Sequence, residues 1–269
     1  MGQLESFNSD REQYFYGTHI SLEEIERLKT FDFPTRFSLA LLPRNMRGKT
    51  IIDVGAGANV SLGNEVKRGG GKYIAIDKSL EMLKQQKSDD PKRFALQSDI
   101  LYLPFSRKLN IAHTRFVLMH LNKAQRIRAI QELCMVAHVN YILEYNWKTF
   151  SPPNDLLQEF VRINYEVASL AGIDLEIGAM LKELVEEVCG HNYHIEEKIF
   201  NEGLGNYYQE VSMLAQSVAR QLERKLGDTA EARALLQIAS KINAGLRLEE
   251  CQPFTRPDVV AVTCYEKVL

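Results

Sequence analysis

Short apolar runs alternate with amphipathic stretches through the first half of the chain. Thr50-Ile51-Ile52-Asp53-Val54 reads as a strand that runs straight into Gly55-Ala56-Gly57. A helix from Asn59 to about Arg68 stops at Gly69-Gly70-Gly71, and Tyr73 to Ile76 forms a second strand ending at Asp77. Ser79 caps the next helix, because its hydroxyl can accept a free backbone N–H of the first turn. A third strand, Arg93 to Gln97, leads to Asp99, and a fourth spans Ile111 to Phe116. The helix Lys123 to Val136 follows, and a fifth strand, Tyr141 to Leu143, leads to Glu144. Strands alternating with helices in this way predict a mostly parallel sheet covered on both faces, an α/β fold.

The flanks are helical. Ser21 precedes a turn in which Leu22, Ile25 and Leu28 share a face, and Phe37 to Leu42 reads as a second helix stopped near Pro43. Beyond Pro152-Pro153 the pattern predicts helices at Asp155–Leu170 and Leu175–Val188, then a strand at His194–Phe200. Helices Asn206–Leu226 and Thr229–Ala244 precede a closing strand, Asp258–Tyr265. No repeat interrupts this order, so residues 1–269 are expected to form one domain. It divides into an N-terminal helical cap (1–44), a core (45–150), helical insertions (151–190 and 205–247) and a closing strand (256–269).

Composition narrows the function little. Charged residues make up 25% of the 269-residue chain and the formal net charge is -2, so nothing draws it to nucleic acid or to an acidic membrane surface. No apolar stretch reaches the length of a membrane span, and the polar start is unlike a secretory signal. Gly2 and Ser6 fit the loose myristoylation pattern, which is short enough to arise by chance. Cys134, Cys189, Cys251 and Cys264 show no paired or zinc-ligand spacing. Reduced thiols, no metal and a cytoplasmic location are therefore expected.

The chemistry gathers at the strand ends. Two glycines between a strand and a helix let backbone approach a ligand closely, and the helix start behind them offers free N–H groups. Asp77, about 20 residues beyond the glycines, stands where a carboxylate can accept both hydroxyls of a ribose. Asp99 can accept an adenine amine, or simply cap the following turn. Val60 stands where a nicotinamide-type fingerprint needs its third glycine, and no phosphate-binding lysine follows. Asp53 would repel a pyrophosphate but tolerate an amine or a sulfonium.

In this order and spacing, IIDVGAGANVSLG, YIAIDKSLEMLKQQ and FALQSDILYLPF resemble the cofactor-binding segments of class I S-adenosylmethionine-dependent methyltransferases. TRFVLMHL and LEYNW resemble a branch that mostly modifies small molecules, as do Tyr16-Gly17, Glu26-Arg27-Leu28 and the stretch from Pro257 to Lys267. The likeness is strong over residues 50–121 and loose elsewhere. It implies a seven-stranded Rossmann-like sheet whose last strand is antiparallel. It also implies that Asp53, Gly55, Gly57, Asp77, Lys78, Asp99, Ile100 and Arg115 hold S-adenosylmethionine and its product, S-adenosylhomocysteine. Asn59 replaces the usual third glycine, and Leu109-Asn110 replaces a common Phe-Asp.

Methyl transfer needs alignment above all, and a base only where the acceptor must lose a proton. His120 is the candidate base, with a backbone-satisfying role equally open. Met119, Tyr145 and Trp147 are candidate walls of the acceptor pocket, while His113 reads as a packed or outward strand residue. The helical insertions can cover a small-molecule acceptor or build a homodimer interface. A binding module without turnover, acting as sensor or partner subunit, is the rival from another class.

Overall fold

The computed structural model describes residues 22–30, 33–86, 93–152, 154–201, 207–244 and 257–267. Gly2, Ser6, Tyr16-Gly17, Ser21 and Cys251 lie outside them. Seven strands form one sheet: β1 (Thr50–Val54), β2 (Lys72–Asp77), β3 (Arg93–Gln97), β4 (Leu109–Arg115), β5 (Ala137–Asn146), β6 (Tyr193–Phe200) and β7 (Asp258–Glu266). Their order is β3-β2-β1-β4-β5-β7-β6. The first five strands pair in parallel, and β7 inserts antiparallel between β5 and β6. The expected sheet is therefore present, and the chain order reverses between β1 and β4, where open α/β sheets bind ligands.

Helices cover both faces. In chain order they begin with α1 (Leu22–Thr30), α2 (Phe33–Leu41), α3 (Ser61–Arg68) and α4 (Leu80–Gln85). Then come α5 (Lys123–Val136), α6 (Asp155–Leu170), α7 (Leu181–Cys189), α8 (Tyr207–Leu226) and α9 (Ala230–Asn243). The strands feed two cores by alternation. Ile52 and Val54 face a cluster built with α5, α6 and α7, whereas Ile51 faces a smaller one with Phe37 and Leu62. Ser79 caps α4 as expected, accepting from Met82 N–H at 3.3 Å.

Some boundaries differ from the periodicity. β5 is ten residues long rather than the short central run, because α5 passes directly into it at Ala137 with no turn residue between. The expected helix Leu175–Val188 divides into a 3-10 turn, Ile177–Met180, and α7. Gly178 sits there against the Tyr145 carbonyl, where an added Cβ would come within 2.6 Å of that oxygen. Cys134, Cys189 and Cys264 are buried free thiols, with the Cys134 and Cys189 sulfurs 3.1 Å apart. Among the described residues no helix is long and apolar enough to cross a membrane.

A candidate cofactor and acceptor cavity

A cavity of about 660 Å³ opens at the carboxyl ends of β1, β2, β3 and β4. Its floor is the turn after β1. Gly55 and Gly57 have φ of +73° and +61°, a left-handed backbone that glycine adopts without strain. At Gly55 an added Cβ would also lie 2.2 Å from Val117 Cγ2, so this glycine is needed twice over. Asn59, in place of the usual glycine, is fully used. Its Nδ2 donates to the Leu28 carbonyl at 3.1 Å and its Oδ1 accepts Ser61 N–H at 2.8 Å, tying α1 to the start of α3. Gln86, which no motif singles out, steadies the same turn by donating to the carbonyls of Gly57 and Asn59.

Asp77 stands at the tip of β2. Its carboxylate accepts Gly57 N–H at 2.9 Å and Ser79 N–H at 2.8 Å, which fixes it against the glycine turn. Burial raises its pKa above the ordinary carboxylate value, and the two backbone donors only partly offset that. Lys78, Asp99 and Ile100 line the cavity beside it, and Asp99 accepts Leu101 N–H at 2.9 Å. Arg115 lines it from the end of β4, with one guanidinium nitrogen 3.2 Å from Thr35 Oγ1 on α2.

Asp53 departs from the expectation. It is not among the cavity-lining residues, because strand alternation turns it to the face that Ile51 shares, under α2. There it accepts from Tyr73 Oη at 2.6 Å and meets His113 Nδ1 at 2.7 Å. His113 is packed, fully enclosed, and its Nε2 lies 2.8 Å from Ser38 Oγ on α2. Burial pushes the Asp53 carboxyl up, but His113 and Arg115 outweigh it and hold the pKa below the ordinary range. The acidic residue before the glycines thus anchors α2 to the sheet.

The second part of the cavity begins at the turn after β4. Phe116 takes φ of +58°, an uncommon conformation for a bulky residue, and its ring stacks on Tyr145 at 4.0 Å between centroids. Glu144, fully buried at the end of β5, accepts the N–H groups of Val117 at 2.9 Å and Leu118 at 2.6 Å through Oε1. Its Oε2 has no hydrogen-bond partner, and burial pushes its pKa up to about 8. Arg126 holds the turn from below by donating to the Leu118 carbonyl at 2.9 Å. The turn therefore presents Val117, Met119 and His120 to the cavity. Desolvation and the nearby Lys78 lower the His120 pKa to about 3, so its imidazole is neutral and weakly basic.

Tyr145 and Trp147 line the same space, and Trp147 packs edge-on to Phe150 at 5.7 Å. Residues of α6 and α8 close it, so both insertions contribute walls. From α1, Glu24 takes both guanidinium donors of Arg27 at 2.7 Å and accepts Ser217 Oγ of α8 at 2.5 Å. Sequence reasoning misses Glu24, Ser217, Gln221 and Asn164 as cavity residues, because their partners and the cavity itself are distant in the chain.

No protein-family model matches the sequence, and neither does any curated protein. Solved structures do match in fold. A protein described as a methyltransferase of an antibiotic biosynthesis pathway, from Anabaena variabilis, superposes with a TM-score of 0.64 at 14% identity, over 88% of this chain and 99% of that one. A cyclopropane synthase of Mycobacterium tuberculosis gives 0.56 at 12% identity, over 98% and 96%. A protein named as a cyclase gives 0.53 at 12%, over 87% and 82%. The chain has the Rossmann-like fold of the class I S-adenosylmethionine-dependent methyltransferases. That fold hosts more than one chemistry, so activity must rest on the site.

Proposed function

We propose that this protein is an S-adenosylmethionine-dependent methyltransferase acting on a small molecule. The observation that carries it is the continuity of two unlike spaces. A turn of left-handed glycines and a desolvated aspartate joins, within one cavity, an aromatic and aliphatic chamber roofed by helices. The first space fits the cofactor: Gly55 and Gly57 leave room for close approach, and Asp77 is a partly dehydrated acceptor that gains from the two hydroxyls of a ribose. Asp99 and Ile100 would hold the adenine, and Arg115 the carboxylate of the methionine end. Lys78 lies alongside.

When bound, the cofactor supplies an electrophilic methyl group on a sulfonium. The chain's own part is orientation and exclusion of water. Gly55 and Val117 set the distance between floor and wall, and the Phe116–Tyr145 stack makes that wall rigid. Met119, Tyr145 and Trp147 confine the acceptor. His120 offers a neutral hydrogen-bond acceptor rather than a strong base, since efficient bases have pKa values near the working pH. An acceptor already nucleophilic at neutral pH suits this site.

Calorimetry with S-adenosylhomocysteine tests the reading. Wild type binds, and Asp77→Ala binds at least about tenfold more weakly, because hydrogen bonds to a charged group contribute about 1.5–3 kcal/mol each. Failure of the wild type to bind ends the proposal. Binding with no methylated product from a broad acceptor panel leaves the sensor reading in its place.

A further inference from the structure

Away from the strand tips, the charges lining the cavity cancel. Glu24 and Arg27 pair through two hydrogen bonds of 2.7 Å, and Ser217 takes the remaining reach of Glu24. Among the described residues most of the other walls of this half are apolar, including Trp147, Phe160, Val167, Leu214 and Val218. A charged acceptor would enter such a space without a counter-ion and would lose its hydration with nothing to replace it.

Two amide side chains, Asn164 and Gln221, interrupt the apolar surface. α6 buries Leu157, Phe160, Ile163, Asn164, Val167 and Ala168 on one face, and Asn164 is the polar member. It is only 7% exposed, yet it lines the cavity. Among the described residues its carboxamide has no hydrogen-bond partner, and its polar atoms keep access to the cavity. A helix face that needed only packing would hold Leu there, whereas an amide left open to the cavity has water or a ligand as its partner. Gln221 of α8 lines the same half, and its Oε1 also lacks a partner while its Nε2 donates to Ser217 at 3.3 Å.

We propose that this half of the cavity receives a neutral, largely apolar acceptor that presents a hydroxyl or carbonyl group to Asn164. The inference deepens the methyltransferase reading and rests on it for the word acceptor, but the binding chemistry stands on the chamber alone. Asn164 acts as a specificity residue: its amide both donates and accepts, so it suits an oxygen that does either.

Trp147 is the only tryptophan of the chain and lines the chamber, so its fluorescence reports occupancy. Three probes of one shape separate the contributions: para-butylphenol, butylbenzene and para-butylbenzoate, titrated with excitation at the red edge of the indole band. The phenol should bind, and the benzoate should bind weakest. Asn164→Leu should weaken the phenol roughly three- to tenfold, the loss of one hydrogen bond, while butylbenzene binds as well or better. Equal phenol affinity in wild type and Asn164→Leu overturns the proposal. So does tightest binding of the benzoate, or binding of none of the three. S-adenosylhomocysteine affinity, measured separately, distinguishes the two readings. Its absence with the Asn164 effect intact removes methyl transfer and leaves the chamber's preference standing.

Discussion

Among single residues, Glu144 is fully buried with only one of its two carboxyl oxygens hydrogen-bonded. One oxygen serves two backbone N–H groups and the other serves none, so the carboxyl is held protonated, with its pKa raised from 4.5 to about 8. A group whose folded pKa is raised stabilises the fold fully below its unfolded value and loses that contribution as pH rises through the folded value. Stability should therefore decline between about pH 4.5 and about pH 8 on account of Glu144. Glu144→Gln keeps the acceptor and removes the titration. In urea unfolding it should match wild type near the acid end and exceed it by a few kcal/mol near the alkaline end, since each tenfold change in proton affinity corresponds to about 1.4 kcal/mol. An identical pH slope in both proteins contradicts the assignment. Sequence alone does not show this role, because the N–H groups that Glu144 accepts belong to a turn 26 and 27 positions away. The positions of Asp77 and Asp99 on the cavity wall are legible because they follow directly from the ends of β2 and β3. Asp53 misleads for a related reason: its place beside the glycines suggests the cavity, whereas alternation with Ile51 sends it under α2.

Between elements, the Asp53–His113–Ser38 chain acts as a clamp. It links β1, β4 and α2, with Tyr73 of β2 as a fourth member, and all four side chains are buried. α2 in turn carries Thr35, which meets Arg115. His113→Leu leaves Asp53 a buried carboxylate short of one partner, a change that costs about 3–5 kcal/mol in comparable pairs. Amide exchange across 33–41 should quicken selectively, and S-adenosylhomocysteine binding should weaken through Arg115. His113→Asn, which retains polarity, should recover part of both. If α2 exchanges at the same rate in His113→Leu, the clamp is only local packing. Elements themselves are mostly readable from periodicity, since β3, α5 and α6 begin and end where the pattern places them. The exceptions share a cause. β5 and the 3-10 turn at Ile177–Met180 are set by contacts, pairing with β7 and close approach of Gly178 to Tyr145, rather than by turn residues.

For the whole molecule, the question is what keeps the roof on the cavity. α1 and α8 are 193 positions apart at the residues that join them, Glu24 and Ser217. Burial pushes the Glu24 carboxyl up, but Arg27 and Ser217 outweigh that and keep its pKa below the ordinary range, so the latch is ionised and strong at neutral pH. Because it is ionised in the fold with a lowered pKa, its contribution persists above the ordinary carboxylate range and fades only in acid. A ligand enclosed by both helices should tighten the same closure. S-adenosylhomocysteine at about 100 times its dissociation constant should stabilise the fold by about 2.7 kcal/mol, a rise of roughly 5–10 °C for a chain of this size. Ser217→Ala removes the hydroxyl that donates to Glu24 and accepts from Gln221 Nε2; the bond to the charged group alone contributes about 1.5–3 kcal/mol, and the strand tips are untouched. It should leave cofactor affinity near wild type while speeding proteolysis of 207–226 and weakening apolar probes of the chamber. Unchanged protease resistance together with unchanged probe binding means the roof is held by apolar packing alone. Loss of cofactor affinity instead means that the helices and the strand tips form one cooperative unit.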